Sequence, residues 1–472
     1  LVDKTEKPEK NFAKGKLLEI VTESSDRVEA FCTYENECGG CGLQNLAYDA
    51  QLALKHKWVQ DSLERIGGIK KPLVREIIGM EEPYRYRNKA SFPVGRISGE
   101  EKKARGCNVG FYGAKSHDVV NCETCLIQAE PAERVAEVIR RYVKGSKLSI
   151  YDPKTGTGIL RHVIVKTAFG TGEVMVVLVA ADRQLPDVDQ LVTELSKALE
   201  LLSEEINEDV KKRNIPDEIP ETTEEGSEES TEEPTEDYGF YLESVVLNVN
   251  KKKDQRILGR DCITLAGRPT ITDYACGLKF EISPLSFYQV NPVQMENMYS
   301  KIAEYSGLTG EETILDLYCG VGAPGLLLAR NYSALLGLEQ DSRAVKLAAI
   351  NARVNDINYC QYEAGDAVHR LEHLAPLKPA SRWLAAGFDE SASIPQATDA
   401  LADPPRAGLS PRALDALMQI APDRILYISC NPATLARDAA QLRHKYSLER
   451  LEAVDLFPHT PHLETVCLLQ RD

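Results

Sequence analysis

The residues best suited to chemistry lie late in the chain. In "RILYISCNPATLARD", Arg424 to Ile428 is a short run of β-branched and aromatic residues, Ser429 to Pro432 breaks it, and Thr434 to Leu442 has helical spacing. Cys430 therefore sits on a turn between a buried strand and a helix, where open α/β sheets carry their reactive groups. A thiol there is either a small core residue, a frequent fate of free cysteine, or a reactive one. Asp403-Pro404-Pro405-Arg406 follows another strand, and Glu464 stands with His459 and His462 in a closing hairpin, "VDLFPHTPHLETVCLLQ".

A second set of chemical residues lies near the start. Cys32, Cys38 and Cys41 are spaced C-x5-C-x2-C, with Gly39 and Gly40 between the last two. Three thiolates need a fourth ligand. Zinc sites pair two knuckles, and no second knuckle stands at the expected distance. Nor does the spacing match ferredoxin runs. The fourth ligand must then come from Cys107, Cys122 or Cys125, with Cys125 preferred and Cys122 next. The pattern points to a cubane [4Fe–4S] cluster; zinc, or no metal, is the alternative.

The elements that must position these groups can be read in outline. "ETILDLYCGVGAPGLLLAR" is a strand, then Gly320 and Gly322, then a helix, and "ALLGLEQ" is a second strand ending at Glu339. Gly325 completes G-x-G-x-x-G, so the glycines alone allow a dinucleotide. Asp316 just before the loop would repel a pyrophosphate but suits cationic S-adenosylmethionine, which favours a methyltransferase over a dehydrogenase. Asp366, after a third strand, is placed to meet the adenine. The expected fold is α/β: a Rossmann-like S-adenosylmethionine-dependent domain over 275–472, preceded by a mainly antiparallel β domain over 32–274 that carries the cysteine loop. Residues 1–31 read as the tail of a small β domain. Tyr48 to Ile66 and Pro131 to Val143 read as helices, and "YRYRNKASFPVGR" as a strand in which Arg85, Arg87 and Lys89, interleaved with Tyr84 and Tyr86, suit either RNA or a solvated face with alternate residues buried.

Composition sets the outer limits. The chain has 472 residues, 43% of them hydrophobic, and no long uncharged apolar run or signal-like start, so a cytoplasmic protein without a membrane segment is expected. The net charge of −16 argues against an RNA partner until its distribution is examined. Residues 201–240 hold fifteen Asp/Glu against three Lys/Arg, which accounts for −12 of the −16. Residues 201–237 read as a disordered acidic insert, because they are rich in Glu, Thr, Ser and Pro and offer almost no large apolar side chains past Ile219. The remainder is close to neutral and can carry a basic face.

Taken in order, C-x5-C-x2-C, "SFYQVNP", "DLYCGVG", "DPPRAGL", "SCNPATLARD" and "FPHTPHLE" resemble the RNA 5-methyluridine (uracil-C5) methyltransferases, in particular the iron–sulfur members acting on 23S rRNA. The resemblance runs from about Cys32 to the end. It implies Cys430 as the nucleophile and Glu464 as the general base. It places Gln289, Tyr318, Gly320, Gly322, Glu339, Asp366 and Asp403 at the cofactor site, and Cys32, Cys38, Cys41 and Cys125 at the cluster. It implies methyl transfer to C5 of a uridine, in 23S rRNA or in the T-loop of tRNA, by a protein expected to be monomeric. A non-catalytic iron–sulfur RNA-binding protein is the alternative of another class. The sequence departs from the family at Ala323-Pro324, in the acidic insert, in the long stretch between Asp366 and Asp403, and at the N-terminus. There only the last strands of an oligonucleotide-binding domain could remain.

Overall fold

Two seven-stranded sheets, each covered on both faces, organise the chain. The computed structural model describes residues 2–4, 15–70, 72, 74–97, 106–213, 239–374 and 398–472. A short pair, β1 (Val2–Lys4) and β2 (Gly15–Leu17), and helix α1 (Tyr48–Arg65) precede the first sheet. That sheet comprises β3 (Lys89–Arg96), β4 (Cys107–Tyr112), β5 (Val119–Asn121), β6 (Leu160–Thr167), β7 (Glu173–Ala180), β8 (Tyr241–Val249) and β9 (Asp261–Gly267), in the order β5-β4-β3-β6-β7-β8-β9. All its pairings are antiparallel except β7–β8.

The parallel pair has a clear cause. Helix α3 (Val188–Arg213) connects β7 to β8 and lies with α2 (Glu130–Ser146) on one face of the sheet. A parallel neighbour needs such a crossover. The opposite face packs against the hairpin of β10 (Ile271–Ala275) and β11 (Leu278–Ile282) and against α4 (Pro292–Ser306). Both faces being covered, all eight residues of β7 are buried, and after Glu173 the run "VMVVLVA" is continuously apolar rather than alternating.

The second sheet comprises β12 (Thr313–Leu317), β13 (Ala334–Glu339), β14 (Cys360–Ala364), β15 (Thr398–Ala402), β16 (Arg424–Ser429), β17 (Tyr446–Val454) and β18 (Glu464–Arg471). Its order is β14-β13-β12-β15-β16-β18-β17. The first five strands run parallel, and β18 is antiparallel to both neighbours. Between them lie α5 (Ala323–Leu327), α6 (Ser342–Val354), α7 (Ala367–Leu374), α8 (Pro411–Ile420) and α9 (Pro432–Leu442). From β12 the chain winds outward to β14, then returns to β15 on the other side. That reversal leaves a crevice beyond the carboxyl ends of β12 and β15. Helices α1, α7, α8 and α9 cover one face, while α4 and α5 cover the other.

Three expectations need correction. Residues 201–213 are helical, not the start of a disordered insert. Leu202 is buried and Ile206 packs on the same core, so the apolar stripe of α3 outlasts the acidic composition; the rest of the insert, 214–237, lies outside the described residues. Tyr84 to Asn88 precede β3 rather than belong to it, with Arg85 at φ 52°. Of residues 16–30, which read as one or two strands, only 16 and 17 lie in a strand, the end of β2, and the rest hold just the isolated bridge Arg27–Leu46. No described helix is long and apolar enough to cross a membrane.

Candidate active site

Cys430 follows β16 and immediately precedes α9. Asn431 caps that helix by accepting from the Ala433 N–H at 3.1 Å, and Pro432 starts it with φ already suited to a helix. The turn is fixed from beneath: the Ser429 hydroxyl donates to the Asn431 carbonyl at 3.1 Å, and Thr465 Oγ1 donates to the Ser429 carbonyl at 2.9 Å. Thr465 neighbours Glu464 on β18, and Ser429 and Thr465 are paired in the sheet. Glu464 is thereby carried to the same end of the sheet as Cys430.

The thiol and the carboxylates at this end interact. Burial pushes the Cys430 thiol up to about 11, with Glu464 and Asp403 adding to the rise and Arg406 opposing it. Burial also raises Asp403 to about 7. Glu464 is raised well above the ordinary carboxylate range by burial and by Asp403. Asp316, fully buried on β12, is raised well above its usual value by burial, Asp403 and Glu339. Neither of its carboxylate oxygens has a well-formed hydrogen bond. Buried Asp316 and Glu464 and half-buried Asp403 stand around one crevice, and among the described residues no Lys or Arg is found to offset their rise, Arg406 acting on the thiol. Buried charges normally carry partners.

The glycine loop fits a cationic nucleoside against this row. Tyr318, Gly320 and Gly322 have φ of 63°, 55° and 83°, so the chain turns sharply past the end of β12. The Tyr318 N–H donates to the Leu338 carbonyl at 2.9 Å, tying the loop to β13. Glu339 accepts from the Gly320 N–H at 3.2 Å and from the Asp341 N–H at 2.8 Å. A Cβ on Gly325 would come within 2.6 Å of an Asp316 oxygen, so glycine permits that approach. Asp366 is exposed and accepts from the N–H groups of Val368 and His369, at 2.9 and 3.2 Å, at the start of α7. It borders a cavity of about 340 Å³ lined also by Leu338 and Gly365. Gln289 is buried at the entrance to α4. Asn88 holds its backbone by donating from Nδ2 to the Gln289 carbonyl at 3.0 Å, and the Asn88 N–H donates to the Val290 carbonyl at 2.9 Å.

Sequence reasoning missed the residues that clamp these loops. Buried Asp438 on α9 accepts from the Leu409 N–H at 2.8 Å and from the Tyr427 hydroxyl at 2.7 Å, fixing the segment after Asp403. Lys55 and Asp455 form an ion pair of 2.6 Å with both side chains fully buried, and Lys55 also donates to the Phe457 carbonyl. The available signal was position: Lys55 shares a buried stripe with Gln51, Val59 and Leu63, and Asp438 shares one with Leu435 and Leu442. A charged residue on an apolar helix face needs a buried partner.

The two histidines separate clearly. His459 is 3% exposed, in left-handed backbone at φ 64°, with Nδ1 3.2 Å from Gln51 Nε2 and Nε2 3.1 Å from the Pro83 carbonyl. The carbonyl can only accept, so Nε2 carries the proton and Nδ1 accepts. Burial lowers its pKa to about 4, keeping the ring neutral. It is a hydrogen-bonding hub, ringed by Phe31, Tyr48 and Tyr84. His462 instead is exposed, with Nδ1 3.5 Å from Arg406 Nη2.

The cysteine loop is attached to this turn. The Leu43 N–H donates to the His459 carbonyl at 2.9 Å. Burial raises Cys41 to about 12, with Cys125, Cys38 and Cys32 adding to the rise, and burial raises Cys125 to about 11. The four thiols therefore lie within electrostatic reach of one another, but Cys38 makes its hydrogen bond with Cys122, which lowers Cys38 to about 6. Among the described residues no three or more His, Cys, Asp or Glu side chains are grouped so as to hold a metal ion. The expected cluster is thus not shown by these thiols, although Cys41 and Cys125 are each within electrostatic reach of Cys32 and Cys38. Arg85, read as an RNA contact, is instead engaged within the protein: it pairs with Glu133 and donates to the Cys125 and Gln128 carbonyls at 3.1 Å.

Comparisons with known proteins bear on the family and the fold. The profile of the tRNA (uracil-5-)-methyltransferase family matches residues 249–472. A protein of Clostridium tetani described as an uncharacterized RNA methyltransferase is 36% identical over 464 residues, covering 98% of this chain and 87% of that protein. A similarly described protein of Caldanaerobacter subterraneus is 37% identical, covering 99% and 89%. Among solved structures, the tRNA (uracil-54, C5)-methyltransferase of Pyrococcus abyssi, in complex with S-adenosyl-L-homocysteine, aligns with a TM-score of 0.68 and 25% identity. It covers 98% of this chain and 91% of that one.

Proposed function

The chain belongs to the RNA (uracil-C5) methyltransferases, S-adenosylmethionine-dependent enzymes, and from that premise we propose that it methylates C5 of a uridine in 23S rRNA through a covalent adduct of Cys430. The observation that carries the proposal is the pairing of a half-buried thiol with a buried Glu464 at one end of the sheet, next to a crevice lined by carboxyls that lack a cation. S-adenosylmethionine supplies that positive charge and an electrophilic methyl group. Asp316, Gly320, Gly322 and Glu339 are the residues that would hold it, with Gln289, Tyr318, Asp366 and Asp403 around them.

The protein's steps follow from its groups. C5 of uracil is a weak carbon nucleophile. Addition of the Cys430 thiolate to C6 turns the ring into an enolate whose C5 can take the methyl group. Burial opposes the thiolate, and Arg406 favours it. Once methylated, C5 bears both the methyl group and a proton. Glu464 removes that proton, the C5–C6 double bond re-forms, and the Cys430–C6 bond breaks. Glu464 must be charged to act. A bound sulfonium favours that state, against the opposition of burial and of Asp403. The turn from Phe457 to Leu463 sets its position, and the cysteine loop braces that turn. A [4Fe–4S] cluster on Cys32, Cys38, Cys41 and Cys125 is proposed only as a structural group, supported by the closeness of the four thiols.

Methyl transfer from labelled S-adenosylmethionine to unmodified 23S rRNA and tRNA, offered separately, tests the target. Label appearing as 5-methyluridine in 23S rRNA is expected. Label confined to tRNA would keep the chemistry and overturn the proposed substrate.

A further inference from the structure

The chain is strongly acidic, yet one surface loop concentrates the opposite charge. Residues 250–260, between β8 and β9, contain Lys251, Lys252, Lys253, Arg256 and Arg260, and Arg183 stands beside them. Of the carboxylates nearby, Asp254 and Asp261 pair with Arg256 and Arg183, Asp182 adjoins Arg183, and Asp341 is within electrostatic reach of Arg260. All six cations are exposed, and all but Lys253 line a concavity of about 320 Å³.

Solvated lysines alone would be unremarkable in meaning. Here, however, buried polar residues hold the loop that displays them. Asn250, 2% exposed, donates from Nδ2 to the Arg256 and Ile257 carbonyls at 2.7 and 2.9 Å, and accepts from the Lys252 N–H at 3.0 Å. Fully buried Asn248 brackets the far end, accepting from the Gly259 N–H at 2.7 Å and donating to the Gly259 carbonyl at 3.1 Å. Arg161 donates to the Asn250 and Lys252 carbonyls at 2.8 and 2.7 Å, with its guanidinium stacked over Tyr151 at 4.4 Å. A loop kept in one shape by three buried polar side chains presents its cations already ordered, which lowers the entropy lost when a polyanion binds.

We propose that this loop, with Arg183, is a docking surface for the ribose–phosphate backbone of the RNA substrate, separate from the pocket of Cys430. The proposal rests on the reading of the chain as an RNA methyltransferase and names a part of the substrate's footprint. Lysine-rich point charges suit phosphates. The surface offers no aromatic ring for stacking a base, so its contribution is independent of sequence and sensitive to salt.

The test compares Lys251→Gln/Lys252→Gln/Lys253→Gln with the native protein and with a control, Arg134→Gln/Arg141→Gln/Lys197→Gln, which removes as many cations from the groove between α2 and α3. Binding of a labelled RNA hairpin is followed by fluorescence anisotropy across a salt series, and methyl transfer is measured separately. The loop variant is expected to bind RNA about 10-fold more weakly, with its salt slope reduced by roughly 2 for three lost phosphate contacts. KM for RNA should rise in parallel while kcat and S-adenosylmethionine affinity stay within 2-fold. The control should bind RNA as the native protein does. Unchanged RNA affinity and salt slope in the loop variant would overturn the proposal, as would an equal loss in the control. So would RNA binding that is unaffected while binding to an acidic polypeptide such as polyglutamate is lost. Because binding is read without turnover, a native protein that binds RNA through this loop but methylates none would defeat the catalytic reading and leave the surface standing.

Discussion

Two buried polar clusters lie at the same end of the second sheet and differ in one respect. Around the turn from Phe457 to Leu463, the polar groups find partners within the chain: Lys55 has Asp455, Gln51 bonds His459 twice, and Tyr86 donates to the Pro458 carbonyl at 3.0 Å. At the ends of β12, β15 and β18, Asp403 adds to the rise that burial gives Asp316 and Glu464, and Asp316 has no well-formed hydrogen bond. The first cluster is complete and therefore holds shape. The second is incomplete and therefore waits for a ligand. An orphaned buried charge is costly, and its presence marks a site built for something absent from the chain.

The sharpest contrast is between removing chemistry and removing support. Cys430→Ala should lower methyl transfer by at least about 10³-fold, as loss of a nucleophile does elsewhere, while S-adenosylmethionine binding, measured by calorimetry, stays within 2-fold. Loss of cofactor binding together with turnover would show that the open cluster also depends on the thiol for its shape. In the closed cluster, Lys55→Met should cost about 3–5 kcal/mol of stability, because it leaves Asp455 buried and unpaired. Denaturant unfolding would read this, and Lys55→Met/Asp455→Leu should recover part of it. Equal stability of the single variant and the native protein would remove the distinction between the clusters.

His459→Asn sharpens the comparison further. Asparagine tolerates left-handed backbone but lacks the ring. The variant should fold, bind S-adenosylmethionine normally and turn over about 10- to 100-fold more slowly. If the turn positions Glu464, the RNA–protein adduct should accumulate on ordinary uridine, visible on a denaturing gel, as it should more strongly with Glu464→Gln. Slower turnover without adduct would make His459 a stability residue only.

Asp403 supplies the smallest effect and the one tied to charge. Its pKa of about 7 belongs to the ligand-free site. A cation favours the ionised carboxyl, so S-adenosylmethionine binding must displace a proton below pH 7 and need not above it. Affinity should rise as pH goes from 6 to 8, by up to about 10-fold per unit at the acid end. Neutral S-adenosylhomocysteine should show little such rise, and Asp403→Asn should flatten it. A cofactor affinity independent of pH in the native protein would contradict the account of the open cluster.

The sequence revealed the open cluster better than the closed one, for a physical reason. Asp316, the glycines and Glu339 lie within a short span, in a pattern imposed by strand, turn and helix, and Cys430 stands at a recognisable break. Local periodicity exposes such positions. The closed cluster joins Gln51 and Lys55 to residues some 400 positions later, and nothing local announces that pairing. The same limit explains Arg85, whose alternation with tyrosines suggested an RNA-facing strand. Its positive φ turns it toward Glu133 and the Cys125 carbonyl instead. The far end of α3 was misread because acidic composition hid Leu202 and Ile206, which continue the helix's apolar stripe.

The central claim is that Cys430 adds to C6 of the target uracil. Incubating the native protein and S-adenosylmethionine with 5-fluorouridine-substituted 23S rRNA tests it most directly, since fluorine at C5 cannot be removed as a proton and the adduct cannot collapse. The account predicts a denaturation-stable complex bearing one transferred methyl, with the RNA-linked peptide mapping to Cys430 and no complex from Cys430→Ala. Methylation of ordinary RNA with no adduct on the fluorinated RNA, or an adduct on another residue, would contradict it.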